Sequence, residues 1–247
     1  MSKRNGKGWY PIPVGIGEPI LYPSVTTILR NLAKYHLIDW AGKVDVECFR
    51  KMVSDLIING AFSNDVFNSL DDIAEIASVY HKEVSQDAMD YGSRIHGSMD
   101  VYHKTSAYPL DPTLRQPFEA CLEEEQASGI KVIESEFMVY SNLHKYAGTL
   151  DVHCYKGNMA EEGIQDYKTY SGKKAVVYPD HLLQIAAYLF ALEMTLGKWL
   201  DFADLVYLSR ETGLPTRKTF RRVDLILPFQ RFLCLCEYFW LSEVKVK

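Results

Sequence analysis

At Ser128-Gly129 the spacing of apolar residues changes from a period near 3.6 to a period of two. That change commits the chain to an α/β architecture with its helical part first. Upstream, Pro23-Ser24 opens a helix: Ser24 is a suitable N-cap, and Val25, Ile28, Leu29 and Leu32 repeat at helical spacing. From 36 to 104 the same period continues through Val46, Phe49, Met52, Val53 and Leu56, enough for three or four helices, and 112–128 forms one more. Downstream, 131–140, 147–155 and 163–168 are short and β-prone, which predicts an antiparallel meander. A helix over 179–196 follows, with Leu182, Leu183, Ile185, Ala186 and Leu189 on its apolar side. Strands over 204–209 and 219–223 flank a Glu211-Thr212-Gly213 turn, and 227–244 closes the chain as an aromatic-rich helix. Residues 1–22 read as an irregular arm rich in Gly, Pro and Tyr. Residues 23–247 read as a single domain, mainly helical over 23–128 and a β-sheet core with flanking helices over 129–247.

Composition narrows the classes of function. With 247 residues and 47% hydrophobic content the chain can bury a substantial core. No apolar run approaches the roughly 20 residues that span a bilayer, so no membrane partner is expected. The N-terminus is basic but lacks the apolar stretch of a signal peptide, and the five cysteines are odd in number without a CxxC pair. Both observations predict reduced thiols in an intracellular setting, cytoplasmic or the host cytoplasm for a viral protein. A net charge of −5 argues mildly against a nucleic-acid partner. The net value does not exclude such a partner, because only the local field along the path of a bound strand has to be positive.

Three features stand in order across the β region. Tyr146-Ala147-Gly148-Thr149-Leu150-Asp151 places a carboxylate in an otherwise apolar strand. Fifteen residues later, Ile164-Gln165-Asp166-Tyr167-Lys168-Thr169 places Asp166 and Lys168 on one face of a strand, with Tyr167 on the other. If the two strands are neighbours, Asp151 converges on the same patch. Two carboxylates suit a hard divalent cation such as Mg²⁺ or Mn²⁺, and a lysine beside it can orient water or offset developing negative charge. An Asp-x-Lys triplet alone is equally what a surface strand with paired charges would show. Gln184 and Tyr188 lie four apart on the next helix, hence on one face.

In this order, Gly-Thr-Leu-Asp, Asp-Tyr-Lys-Thr and His-Leu-Leu-Gln-Ile-Ala-Ala-Tyr (181–188) resemble the RecB-type branch of the PD-(D/E)XK nucleases. Within it the chain is similar to phage-type exonucleases, CRISPR-associated RecB-like exonucleases and the mitochondrial genome maintenance exonuclease. Pro23-Ser24-Val25-Thr26-Thr27-Ile28-Leu29 and Tyr91-Gly92-Ser93-Arg94-Ile95-His96-Gly97 resemble the entry motif and the histidine helix of that branch. The resemblance implies a restriction-endonuclease-like core, a central mixed β-sheet flanked by helices with a helical N-terminal section. It also implies an Mg²⁺- or Mn²⁺-dependent DNA exonuclease acting on single-stranded or end-exposed DNA, in recombination, replication, repair or degradation. Asp151 and Asp166 would ligate metal with the backbone carbonyl of Tyr167, His96 would be a further ligand, and Lys168 would be the catalytic lysine. Gln184 and Tyr188 would contact DNA or steady the lysine, and Glu136 would be an outer-shell acid.

Arg94, Lys173 and Arg210 are candidate phosphate contacts, as is the basic run Arg210, Arg217, Lys218, Arg221, Arg222, with Lys3, Arg4 and Lys7 as additions. The four-cysteine set of some relatives is absent, so no iron–sulfur cluster is expected. No Gly-x-x-x-x-Gly-Lys-Ser/Thr motif implies ATP use. Beyond DNA, a recombination or replication protein is a candidate partner. The competing class is a catalytically inactive DNA-binding or assembly module of the same fold.

Overall fold

The computed structural model describes residues 8–13, 17–32, 35–59 and 63–243. The chain divides into two compact units, one of residues 33–91 and a larger one of residues 1–32 with 92–247. The smaller unit is helical. It holds α2 (Tyr35–Ile58), α3 (Ser63–Ala77) and the first turns of α4 (Tyr80–Thr105), after α1 (Val25–Leu29) of the larger unit. Asp45 of α2 accepts the His81 backbone N–H at 2.9 Å and sits 2.8 Å from the His81 ring, which satisfies an orphan donor at the start of α4.

The larger unit is built on a five-stranded mixed sheet in the order β3 (Lys131–Ser141), β4 (Tyr146–Lys156), β5 (Glu161–Tyr170), β6 (Phe202–Ser209), β7 (Pro215–Arg221). The first three form the antiparallel meander expected from their spacing. β5 and β6 are parallel, and α6 (Pro179–Leu196) makes the crossover that parallel pairing requires. β6 is buried along its whole length, as a central strand covered on both faces must be. α6 packs on the sheet with α7 (Ile226–Glu243) and α1 behind it, around Leu150, Ile164, Leu189, Leu205 and Phe232. α5 (Pro112–Ala127) lies on the opposite face, because its Glu125 meets Gln165 and Tyr167, which alternate with the α6-facing Lys168.

The last strand differs from its expected bounds. β7 starts at Pro215, and Arg222–Leu225 is a 3₁₀ turn in which Asp224 caps the Arg221 backbone N–H at 2.9 Å. The irregular arm differs too. Trp9–Ile12 (β1) and Ile20–Pro23 (β2) pair as an antiparallel ribbon. Tyr10, Ile12 and Tyr22 bury themselves against Ala147, with Met138 and Tyr140 alongside, and Tyr10 Oη lies 2.8 Å from Thr149 Oγ1. Prolines and glycines hid these strands. Burial of aromatic rings on β4, rather than strand propensity, holds them.

Gly148 has no room for a side chain, since a Cβ there would collide with the Tyr188 ring of α6. The glycine of Gly-Thr-Leu-Asp thus lets α6 lie close over β4. Gly148→Ala is expected to cost about 1–3 kcal/mol through overpacking, read as a lower melting temperature. An unchanged value would show that α6 has slack at this point.

Candidate active site

The β4–β5 ladder ends at the pair Val152–Gln165, so Asp151 and Asp166 are the next residues along their strands. Beyond that point the Tyr167 N–H is taken by a side chain: it donates to Asp151 Oδ2 at 2.7 Å. An extended residue presents its N–H and C=O to the same side, so the Tyr167 carbonyl lies on the Asp151 side of β5. On β3, Ser135 pairs with Val152 and Phe137 with Leu150, which leaves Glu136 and Asp151 opposite one another. Glu136 adopts a left-handed backbone (φ 46°). For a non-glycine residue this costs on the order of 1–3 kcal/mol and persists only where surrounding structure imposes it.

α4 supplies the third group. Gly92 and His96 share one helical face four residues apart. A Cβ on Gly92 would lie 3.3 Å from Thr169 Oγ1, so the glycine lets α4 approach the end of β5. His96 Nδ1 reaches Asp151 Oδ2 at 3.3 Å, and the ligand atoms of His96, Glu136 and Asp151 all fall within 4.8 Å of one another. Glu136 thus stands with His96 and Asp151 in a group whose ligand atoms are close enough to share one ion. Asp166, 2% exposed, turns instead to Lys168, whose Nζ lies 2.5 Å from Oδ2 as an ion contact out of hydrogen-bond alignment. Lys168 Nζ also donates to Gln184 Oε1 at 3.0 Å, and Gln184 Nε2 donates to Tyr188 Oη at 3.1 Å. The glutamine and tyrosine of α6 steady the lysine.

The electrostatics follow from crowding three carboxylates into a shielded place. Burial works against charge on His96, but Asp151 outweighs it and holds the imidazole above its ordinary pKa. Burial pushes Asp151 up, yet His96, Lys168 and the Tyr167 N–H together hold it below the usual carboxylate range. Asp166 is raised by burial, with Lys168 opposing and Asp151 adding to the rise. Lys168 stays an ammonium, since Asp166 and Asp151 overcome the burial that opposes its charge. Burial, then Asp151, pushes Glu136 up to about 7.

Two carboxylates directly opposed across an antiparallel pair repel, and an imidazole nitrogen completes a set within coordination reach. This donor set fits a divalent cation: carboxylate oxygens suit Mg²⁺ and Mn²⁺, and the imidazole tilts the preference toward Mn²⁺. A pH test follows. Between about 4.5 and 7 the folded protein holds a proton on Glu136 that the unfolded chain releases, so raising the pH through this window weakens the metal-free fold. Glu136→Gln, which mimics the protonated acid, should match the wild type near pH 5 and melt above it at pH 8 in EDTA. Added Mn²⁺ should close the gap at pH 8. A melting difference independent of pH would contradict the shift.

The phosphate candidates are not gathered into this cluster. Arg94 is two residues from His96, about 200° around the helix, and pairs with Asp111 Oδ2 at 2.7 Å at the start of α5. Lys173 is exposed in the loop after β5, and Arg210 follows β6. The Arg210 N–H donates to the Tyr170 carbonyl and the Gly172 N–H to Glu211, each at 2.9 Å. Both loops thus sit at the carboxyl end of the parallel pair, the end of β5 that carries Lys168. The rest of the basic run is largely engaged. Arg217 binds Glu124, Asp204 and Gln165, while Arg221 pairs with Glu161 at 2.5 Å and Arg222 with Glu193 at 2.6 Å. Lys3, Arg4 and Lys7 lie outside the described residues.

Sequence reading missed the buried carboxylate behind the site. Glu125 stands in a Glu-Glu-Glu run that looks like a solvated helix face. Its signal is spacing: Leu114, Phe118, Cys121 and Glu125 fall on one buried stripe of α5.

No family model matches the chain, and no curated protein sequence matches it. Among solved structures it is similar to the protein SSO0001, with 15% identity and a TM-score of 0.35 over 51% of this chain and 57% of that one. It is also similar to the alkaline exonuclease LHK-Exo from Laribacter hongkongensis, with 10% identity and a TM-score of 0.29 over 63% of this chain and 86% of that one. The chain spans little more than half the length of the first of these. Likeness this distant carries no argument.

Proposed function

We propose that this chain is a divalent-metal-dependent nuclease that hydrolyses phosphodiester bonds in DNA, as an exonuclease on single-stranded or end-exposed substrate. The observation that carries the reading is the convergence of His96, Glu136 and Asp151 beside an ammonium held by Asp166 and Gln184. These three side chains would hold the cation, with Asp166 and the Tyr167 carbonyl flanking it. When bound, such a cation polarises a phosphate and lowers the pKa of a coordinated water. Lys168 has no acceptor to offer as an ammonium, so it serves as a donor: it orients the attacking water or offsets charge on the phosphate oxygens. Asp166 fixes that charge in place, and Gln184 orients it. Exonuclease action and the choice of DNA come from the sequence resemblance and not from the geometry.

The test is digestion of end-labelled single- and double-stranded DNA in Mg²⁺, Mn²⁺ or EDTA, with Lys168→Ala in parallel. Metal-dependent loss of substrate by the wild type alone, with mononucleotides released from an end, is the expected result. DNA bound but left intact in every metal would make the chain a binding module.

A further inference from the structure

Behind the proposed metal ligands lies a polar network that the chemistry above does not use. Its hub is Glu125, a buried carboxylate on α5. Glu125 Oε1 accepts from Tyr167 Oη and stands 3.4 Å from Gln165 Nε2, while Oε2 meets His103 Nε2 at 3.2 Å. His103 Nδ1 is buried and makes no hydrogen bond among the described residues. Nε2 is thus the ring nitrogen through which His103 meets Glu125.

Each of these bonds ends on an element that bears a ligand or holds one in place. Tyr167 gives its backbone N–H to Asp151, and its ring lies edge-on to the His96 imidazole with centroids 5.9 Å apart. His103 is two helical turns beyond His96 on the same face of α4. One carboxylate therefore ties down the strand that orients Asp151 and the helix that presents His96. A buried acid is a costly way to staple α5 to a sheet, since an apolar residue would pack there without desolvating a charge. Its placement is accounted for by what its partners hold.

We propose that Glu125 is a positioning residue for the metal centre, acting through the Tyr167 phenol and His103. The inference rests on the nuclease reading and deepens it. The test is Mn²⁺ titration calorimetry on the full chain, with amide hydrogen exchange at Tyr167 measured in EDTA. Glu125→Ala is expected to weaken Mn²⁺ binding by about 10–100-fold, the usual effect of losing a group that orients metal ligands, and to speed exchange at Tyr167. Glu125→Gln keeps an acceptor for the phenol and should restore most of the affinity. Tyr167→Phe should weaken binding too, and combining it with Glu125→Ala should add less than the sum of the single effects. If Glu125→Ala does not fold, Glu125→Gln and Tyr167→Phe decide the matter. Wild-type affinity in Tyr167→Phe and in folded Glu125→Ala, with only a lower melting temperature, would reduce Glu125 to a structural staple and overturn the inference alone. A wild type that neither binds Mn²⁺ nor cuts DNA would remove the nuclease reading and this inference together.

Discussion

Lys168→Ala is expected to slow DNA cleavage by about 10²–10³-fold, the cost of removing one preorganised donor from a site of this kind, without weakening Mn²⁺ binding. The two effects separate because Lys168 and the cation share the same acids. The ammonium offsets charge on Asp166 and, at longer range, on Asp151. Removing it leaves the three carboxylates less neutralised, which favours a dication. Asp151→Asn should behave in the opposite way. It removes the carboxylate that meets both His96 and the Tyr167 N–H, so metal affinity and cleavage fall together. Single-turnover digestion of end-labelled DNA, paired with Mn²⁺ calorimetry on each variant, reads both quantities. Loss of metal binding in Lys168→Ala would show that the lysine builds the site rather than acting in it.

Arg217→Ala should be the most destabilising substitution outside the site. The guanidinium, 10% exposed, binds Glu124 and Asp204 and donates to Gln165. Asp204 is fully buried, with Lys156 as its second cation at 3.8 Å. Removing one partner of a buried ion pair leaves the other desolvated, which costs about 3–5 kcal/mol. For a chain of this size the melting temperature should drop by about 6–20 °C. Replacing Arg217, Glu124 and Asp204 together by apolar residues should recover much of the loss, because no charge is then stranded. A single variant that melts within a degree or two of the wild type would show that water reaches the network.

The sheet, the crossover helix and the Asp166–Lys168 pairing were legible because each depends on local spacing. Pro179–Leu196 starts on a proline and ends at a left-handed Gly197, signals present in the sequence itself. Asp151 and Asp166 fall one position beyond the last pair of the β4–β5 ladder because only a short turn separates their strands. What escaped reading depends on long-range burial. Only the resemblance pointed to Glu136, since a left-handed backbone at a glutamate has no local signature. Arg217 looked like part of a basic surface until Asp204 and Glu124, 13 and 93 residues away, claimed it. The β1–β2 ribbon escaped because its strength lies in rings buried on β4.

The meander also sets an order of events as the chain folds. Glu136, Asp151 and Asp166 lie on three consecutive strands joined by short turns, so they approach one another through contacts of low sequence separation. The parallel pairing of β5 with β6, and the placing of Gln184 beside Lys168, must wait for the longer crossover. Glu136 and Asp151, with Asp166 on the strand beyond, are thus brought near one another before much of the fold is present to hold them. In EDTA that early repulsion should act as a brake on refolding. A dication present from the start should release the brake, speeding refolding as well as slowing unfolding, so the metal would serve as a folding nucleus before it serves chemistry.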